Sequence, residues 1–261
     1  MNYQSTKKIK ITTLIEDTSP KRPFYGEHGL SFLIETDENK ILFDTGFSGD
    51  ALIHNLSALN IDLKQINAFV LSHNHNDHGG GLSHIADLIK DKPMYCASNF
   101  HEGEITDSKE ISQKIGNINY AIEPKEILPS IWISQEKDSI NSKKPTKEIN
   151  LIINLENKGL AIIVGCSHHG LNNLIQNAQQ LFDSKIPLYA LIGGLHLKDN
   201  SPEEINQILD GLQKYNFQVI APNHCTGFNA LKKITEKFVK ETNLIKNSDS
   251  GTFHTGMSIE L

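Results

Sequence analysis

Six consecutive positions, His73-Asn74-His75-Asn76-Asp77-His78, bring three imidazoles and one carboxylate together. Imidazole nitrogen and carboxylate oxygen are the donors that hold zinc, and also iron or manganese. His73 and His75 stand two apart, so in an extended segment both side chains leave on the same side. Asp77 and His78 follow where the chain turns, and can approach an ion from another direction. Gly79, Gly80 and Gly81 come next and predict a tight backbone that brings all four together. Cations held in this way lower the pKa of water and stabilise a departing oxygen, which is the chemistry of hydrolysis. A polar loop that happens to contain histidine is the plain alternative, and the density of donors argues against it.

Stepping outward from the cluster, the apolar run 66–72 predicts a buried strand that ends on His73. Strands are also predicted at 8–15, 30–36, 40–45, 93–97, 149–155, 160–165, 186–193, 217–222 and 256–261. Helical spacing marks 51–60, the stretch after the three glycines, 171–182, 201–215 and 229–241. Ser201 as N-cap with Pro202 behind it gives one of these a sharp start. Three further histidines, His168, His196 and His224, each follow a predicted strand. That is where α/β sheets deliver ligands.

Each half of the chain has antiparallel hairpins first and then alternating strands and helices. The economical architecture is α/β: two sheets face to face with helices outside, a four-layer αββα sandwich. On pattern alone a doubly wound three-layer fold is its rival. A single domain is expected over 1–261, with an insertion or flap at about 99–147, where the chain is polar, lysine-rich and weakly patterned.

The chain has 261 residues, 38% hydrophobic and 21% charged, with a formal net charge of -6. This balance suits an ordinary soluble globular protein and lacks the basic surplus of a nucleic-acid binder. No apolar run approaches the ~18 residues of a membrane span, so no membrane partner is expected. Three cysteines, Cys96, Cys166 and Cys225, match no disulfide framework and suit a reducing cytoplasm. A small-molecule substrate, phosphorylated or not, is the expected partner, and a homo-oligomer is left open.

His73-x-His75-x-Asp77-His78 resembles the HxHxDH signature of the metallo-β-lactamase superfamily, and Phe43-Asp44-Thr45-Gly46 resembles its first motif. More of the chain is similar to one branch, the dihydropterin ribofuranosylaminobenzene-phosphate synthase-like proteins. Its segments here are Glu27 to Ser31, Leu71 to Leu82, Gly165-Cys166-Ser167-His168, Gly193 to Leu197 and His224-Cys225-Thr226-Gly227. The resemblance implies one or two divalent ions, zinc first, with manganese or iron as alternatives. His73, His75 and His168 would hold one, and Asp77, His78 and His224 the other. It further implies catalytic roles for Asp77, Glu27 (as general base) and His196, and substrate contacts from His28, His196 and Thr226. His196 stays open between ligand and substrate contact. Asp44 and Cys166 are expected behind the ligands.

One departure stands out. Many members of the superfamily carry a bridging Asp after a hairpin strand and a glycine, and here Gly165 is followed by Cys166. The thiol of Cys166 or the ring of His168 could take that place. The implied function is a metal-dependent hydrolase, using metal-activated water on a small phosphate ester, phosphodiester or lactone. The alternatives are the branch's condensation of a pterin diphosphate with a ribofuranosylaminobenzene phosphate, a transferase reaction, and a non-catalytic metal-binding sensor.

Overall fold

Along its strands the chain places apolar side chains on alternate positions of both faces, so each sheet needs cover on two sides. The computed structural model describes residues 3–140, 146–242 and 252–261. In chain order, the first half gives β1 (Ile9–Ile15), β2 (Ser31–Thr36), β3 (Lys40–Phe43), α1 (Gly49–Ala58) and β4 (Ala68–Val70). Then come α2 (Asn76–Gly79), α3 (Leu82–Ile89), β5 (Met94–Cys96), α4 (Ser108–Ile115) and β6 (Ile118–Tyr120). The second half gives β7 (Lys125–Leu128), β8 (Ile131–Ile133), β9 (Lys137–Asp138), β10 (Lys147–Glu148), β11 (Leu151–Leu155), β12 (Gly159–Val164) and α5 (Leu171–Leu181). It closes with β13 (Leu188–Gly194), α6 (Pro202–Gln213), β14 (Val219–Asn223), α7 (Phe228–Lys237) and β15 (Ser258–Glu260).

Two mixed sheets result, ordered β15-β1-β2-β3-β4-β5-β6 and β14-β13-β12-β11-β8-β7. In both, antiparallel pairs come first in the chain and parallel pairs follow: Ile41 lies beside Ala68, Ile163 beside Ile192, and Ile192 beside Ala221. Ile11, Phe32, Ile34, Phe43 and Val70 of the first sheet meet Leu151, Ile153, Ile163 and Ile192 of the second in one inner core. On the outer faces, Leu42 and Phe69 pack with Leu52, Ile85 and Ile111 of the helices. Ile162 and Leu191 pack with Ile175, Leu209 and Ile234. Helices therefore cover one face of each sheet while the other faces meet. This is the αββα sandwich, and the three-layer rival falls away.

The stretch at 99–147 is not an added flap over its described residues. Its α4 sends Ile111 and Ile115 into the first outer core, and Ile131 and Ile133 of β8 lie in the inner core. β6 forms one edge of the first sheet, and β7 with β8 completes the second. Edge strands bury few side chains, which is why their sequence is short and polar. Residues 141–145 lie outside the described residues.

At the other edge β15 pairs with β1, so the last strand of the chain finishes the first sheet. Ser201 and Glu204 form a reciprocal capping box at the start of α6, with Pro202 in its first turn. No helix among the described residues is long and apolar enough to cross a membrane.

Candidate metal centre

Five parallel-strand ends meet at one edge of the sandwich. β4 runs straight into His73, and His75 caps α2, whose single turn carries Asp77 and His78. The loop is tied down by its own carbonyls: Leu30 N donates to Asp77 O, and Thr45 N to His78 O. None of the three glycines behind this loop has a positive φ. Gly80 and Gly81 have φ of -64° and -73°. What they provide is room, since a Cβ on Gly80 would come within 2.3 Å of Phe47 O and one on Gly81 within 2.7 Å of Thr45 O. Elsewhere the turns are strained. Asp44, Ser167, His196 and His224, all just beyond strand ends, have φ between 48° and 64°. Non-glycine residues hold such angles at a cost of about 1–3 kcal/mol each, and they gather at functional sites.

One trio is His73, His75 and His168. His73 Nε2 lies 3.1 Å from His75 Nδ1 and 3.2 Å from His168 Nε2. Donors on a tetrahedral ion with bonds of 2.0–2.1 Å stand about 3.3 Å apart. The outward nitrogens are engaged: His73 Nδ1 meets Ser72 Oγ at 2.8 Å, and His75 Nε2 meets Thr146 Oγ1 at 3.0 Å. Because Ser72 Oγ donates to Asp44 Oδ2, it is left to accept from His73 Nδ1, which turns the Nε2 lone pair inward. Burial first, and then the neighbouring histidines, lower the pKa of His73, and His168 is lowered to about 4. Burial also lowers His75. These are neutral imidazoles, the form that ligates.

The second trio is Asp77, His78 and His224. His78 Nε2 and His224 Nε2 are 3.2 Å apart, and Asp77 Oδ2 is 3.3 Å from His224 Nε2. His78 Nδ1 donates to Asp44 Oδ2 at 2.6 Å, and the same carboxylate accepts from Ser72 N. Its electrostatics are the reverse of the first trio's. Burial would lower His224, but Asp17 and Asp77 outweigh it and raise it to about 10. Burial would raise Asp77, but His78, His224 and His28 hold it well below the usual carboxylate range. The pocket favours positive charge, whether a proton or a metal ion that displaces it. Cys166 Sγ lies 3.2 Å from His78 Nε2 and groups with His73 and His78, between the two trios. The donor set therefore fits two divalent transition ions with a sulfur between them.

Other expected residues fall elsewhere. Glu27, expected as a general base, has both oxygens engaged by Ser48, from N at 2.6 Å and from Oγ at 2.7 Å, and braces the start of α1. Thr226, expected to touch substrate, is fully buried. Its Oγ1 donates to Asn223 O and accepts from Leu195 N, joining the ends of β13 and β14. His28 is exposed at the mouth, bridging Asp17 and Asp77, and those two contacts raise it to about 9. His196 joins neither trio. It lies beside His168, with ring centres 4.5 Å apart, and groups with Cys166 and Cys225.

Sequence reasoning missed three acids. Asp17 Oδ1 meets His224 Nδ1 at 2.7 Å, and Glu16 Oε1 accepts from His224 N. Glu148, fully buried, accepts from Cys166 N, Ser167 N and His168 N. Burial alone would raise it, but His169, His168 and the amides outweigh burial and hold it at about 2. The one available signal was position, since Asp17 lies just past β1 as Asp44 lies just past β3, and Glu148 ends β10.

Residues 25–172 match the model of the metallo-beta-lactamase superfamily. The chain is 32% identical to 7,8-dihydropterin-6-methyl-4-(beta-D-ribofuranosyl)-aminobenzene-5'-phosphate synthase of Methanocaldococcus jannaschii, over 92% of this chain and 95% of that protein. Among solved structures it is similar to Tm1679, described as a metal-dependent hydrolase of the beta-lactamase superfamily. There the TM-score is 0.76 at 24% identity, covering 97% of this chain and 99% of the other. It is also similar to the metallo-beta-lactamase fold protein YhfI from Bacillus subtilis, with a TM-score of 0.61 at 14% identity over 98% and 100% of the two chains. At these identities the two structures speak for the fold alone.

Proposed function

This chain belongs to the metallo-beta-lactamase superfamily, and from that premise we propose that it is a metal-dependent hydrolase of a small phosphate ester, phosphodiester or lactone. The observation that carries the proposal is the pair of donor trios, His73/His75/His168 and Asp77/His78/His224, set side by side with Cys166 between them. When bound there, divalent ions, zinc for preference, would supply Lewis acidity and an acidified water. The chain's own groups supply the rest. His28, cationic at neutral pH and exposed at the mouth, is placed to contact an anionic oxygen or to give a proton to the leaving group. A cleft of about 320 Å³ beside His168 and His196, lined by Leu171, Asn173, Leu195 and Asn200, suits the remainder of a small molecule. A reducing compartment such as the cytoplasm suits the three free thiols.

The test is metal content and turnover of an aryl phosphate, a bis-aryl phosphodiester and a simple lactone by wild type and His75→Ala. Turnover of at least one class is expected, falling at least 100-fold in the variant together with about one metal equivalent. A fully loaded protein that turns over none of the three would defeat the proposal. A second reading, the condensation releasing diphosphate, is favoured by the 32% identity to the archaeal synthase. Formation of the condensed product from the pterin diphosphate and the ribofuranosylaminobenzene phosphate would establish it instead.

A further inference from the structure

Behind the two trios, the turns after β12, β13 and β14 bring Cys166, His196 and Cys225 together, with one donor atom from each within 4.8 Å of the others. Neither His196 nor Cys225 belongs to the trios. Cys166 and Cys225 are 3% and 2% exposed. The Cys225 thiol lies 3.7 Å from Cys166 O and is also in side-chain hydrogen-bonding reach of Cys166 and His196. His196 Nδ1 is buried without a hydrogen-bond partner among the described residues. Two thiols packed as small apolar groups would be ordinary in a core. An orphaned imidazole nitrogen beside them is not, because leaving such a group unsatisfied costs about 1–3 kcal/mol. The backbone makes room for the sulfur: a Cβ on Gly194 would lie 2.6 Å from Cys225 Sγ. His196 itself sits in left-handed backbone, with φ of 50°.

We propose that Cys166, His196 and Cys225 form a further cation site, selective for a thiophilic divalent ion such as zinc. Sulfurs on a tetrahedral ion with bonds of 2.3 Å stand about 3.8 Å apart, compatible with donor atoms that all lie within 4.8 Å of one another. Three protein donors leave a fourth position, and His196 lines the open cleft, which gives the ion a way in. Cys166 is shared with the hydrolytic centre, 3.2 Å from His78 Nε2, so its thiolate bridges the two. The site rests on the reading of that centre only through this shared sulfur.

The experiment strips the reduced protein of metal and reloads it with cobalt(II) alone. Bound cobalt per chain and thiolate-to-cobalt absorption are then measured in wild type, Cys225→Ala, His196→Gln and His75→Ala. Wild type should bind about one equivalent more than Cys225→Ala or His196→Gln, and Cys225→Ala should lose part of the thiolate absorption. His75→Ala should lose an equivalent and keep that absorption. Cobalt content and absorption in Cys225→Ala equal to wild type would overturn the site. If Cys225→Ala does not fold, His196→Gln, altered at a partly exposed residue, decides by the same two readings. Hydrolysis enters neither reading. An inactive protein that carries the extra equivalent therefore keeps the site, and an active one that lacks it loses the site while the hydrolase reading stands.

Discussion

Asp44 reaches toward no ion, yet it decides how His78 can ligate. By accepting from His78 Nδ1 and from Ser72, it fixes the ring so that Nε2 faces His224 and Cys166. Partners of this kind orient a ligand and raise its basicity. Asp44→Ala should therefore weaken metal binding about 10- to 100-fold, measured by competition against a chromogenic chelator. Unchanged affinity would mean that the loop alone holds the ring. His73, His75, Asp77 and His78 were legible in the sequence because a contiguous run of donors leaves few other readings. Asp17 and Glu148 were not, since each lies far in sequence from the histidine it holds, His224 and His168, and only folding joins them. Glu27 and Thr226 are a different case. They sit within motif-like segments, but their oxygens are taken up by Ser48 in one case and by Asn223 and Leu195 in the other.

The turn between β12 and α5 hangs on one side chain. Glu148 gathers three successive amides there, and its carboxyl drops from the ordinary 4.5 to about 2 in the folded protein. A depressed carboxyl stabilises the fold above its unfolded pKa, and that contribution fades as pH falls from about 4.5 through about 2. Glu148→Gln should cost about 3 kcal/mol at neutral pH and flatten the acid limb of the stability curve. Denaturant unfolding at pH 7 and across pH 2–5 measures both effects, and an unchanged acid limb would count against this role. At this scale the central strands were readable from dense apolar alternation. β6 and β7 were not, because edge strands face solvent and carry weaker patterns, and β8, though interior, is only three residues long, too short to show a period. The start of α6 was visible because Ser201 and Pro202 stand next to each other in sequence; the answering contact from Glu204 is added by the structure.

Pattern alone left two layer orders open for the whole molecule, because a strand apolar on both faces does not say what covers each face. The inner core shared by the two halves decides it. Each donor trio also draws on both halves: His73 and His75 with His168, and Asp77 and His78 with His224. An ion in either trio joins the sheets at their common edge, and its binding energy adds to folding. Adding zinc at 1,000 times its dissociation constant should stabilise the metal-free protein by about 4 kcal/mol, read as a rise in Tm by calorimetry. Equal Tm with and without zinc would contradict that coupling. The pairing of β1 with β15 has a further consequence for how the molecule is made. Asp17, two residues past β1, lies against His224, and the outer edge of β1 is covered only by β15, made far later in the chain. The trio that ends at His168 can assemble on a nascent chain well before the trio that ends at His224. On a growing chain β1 is thus made long before the strand that covers it.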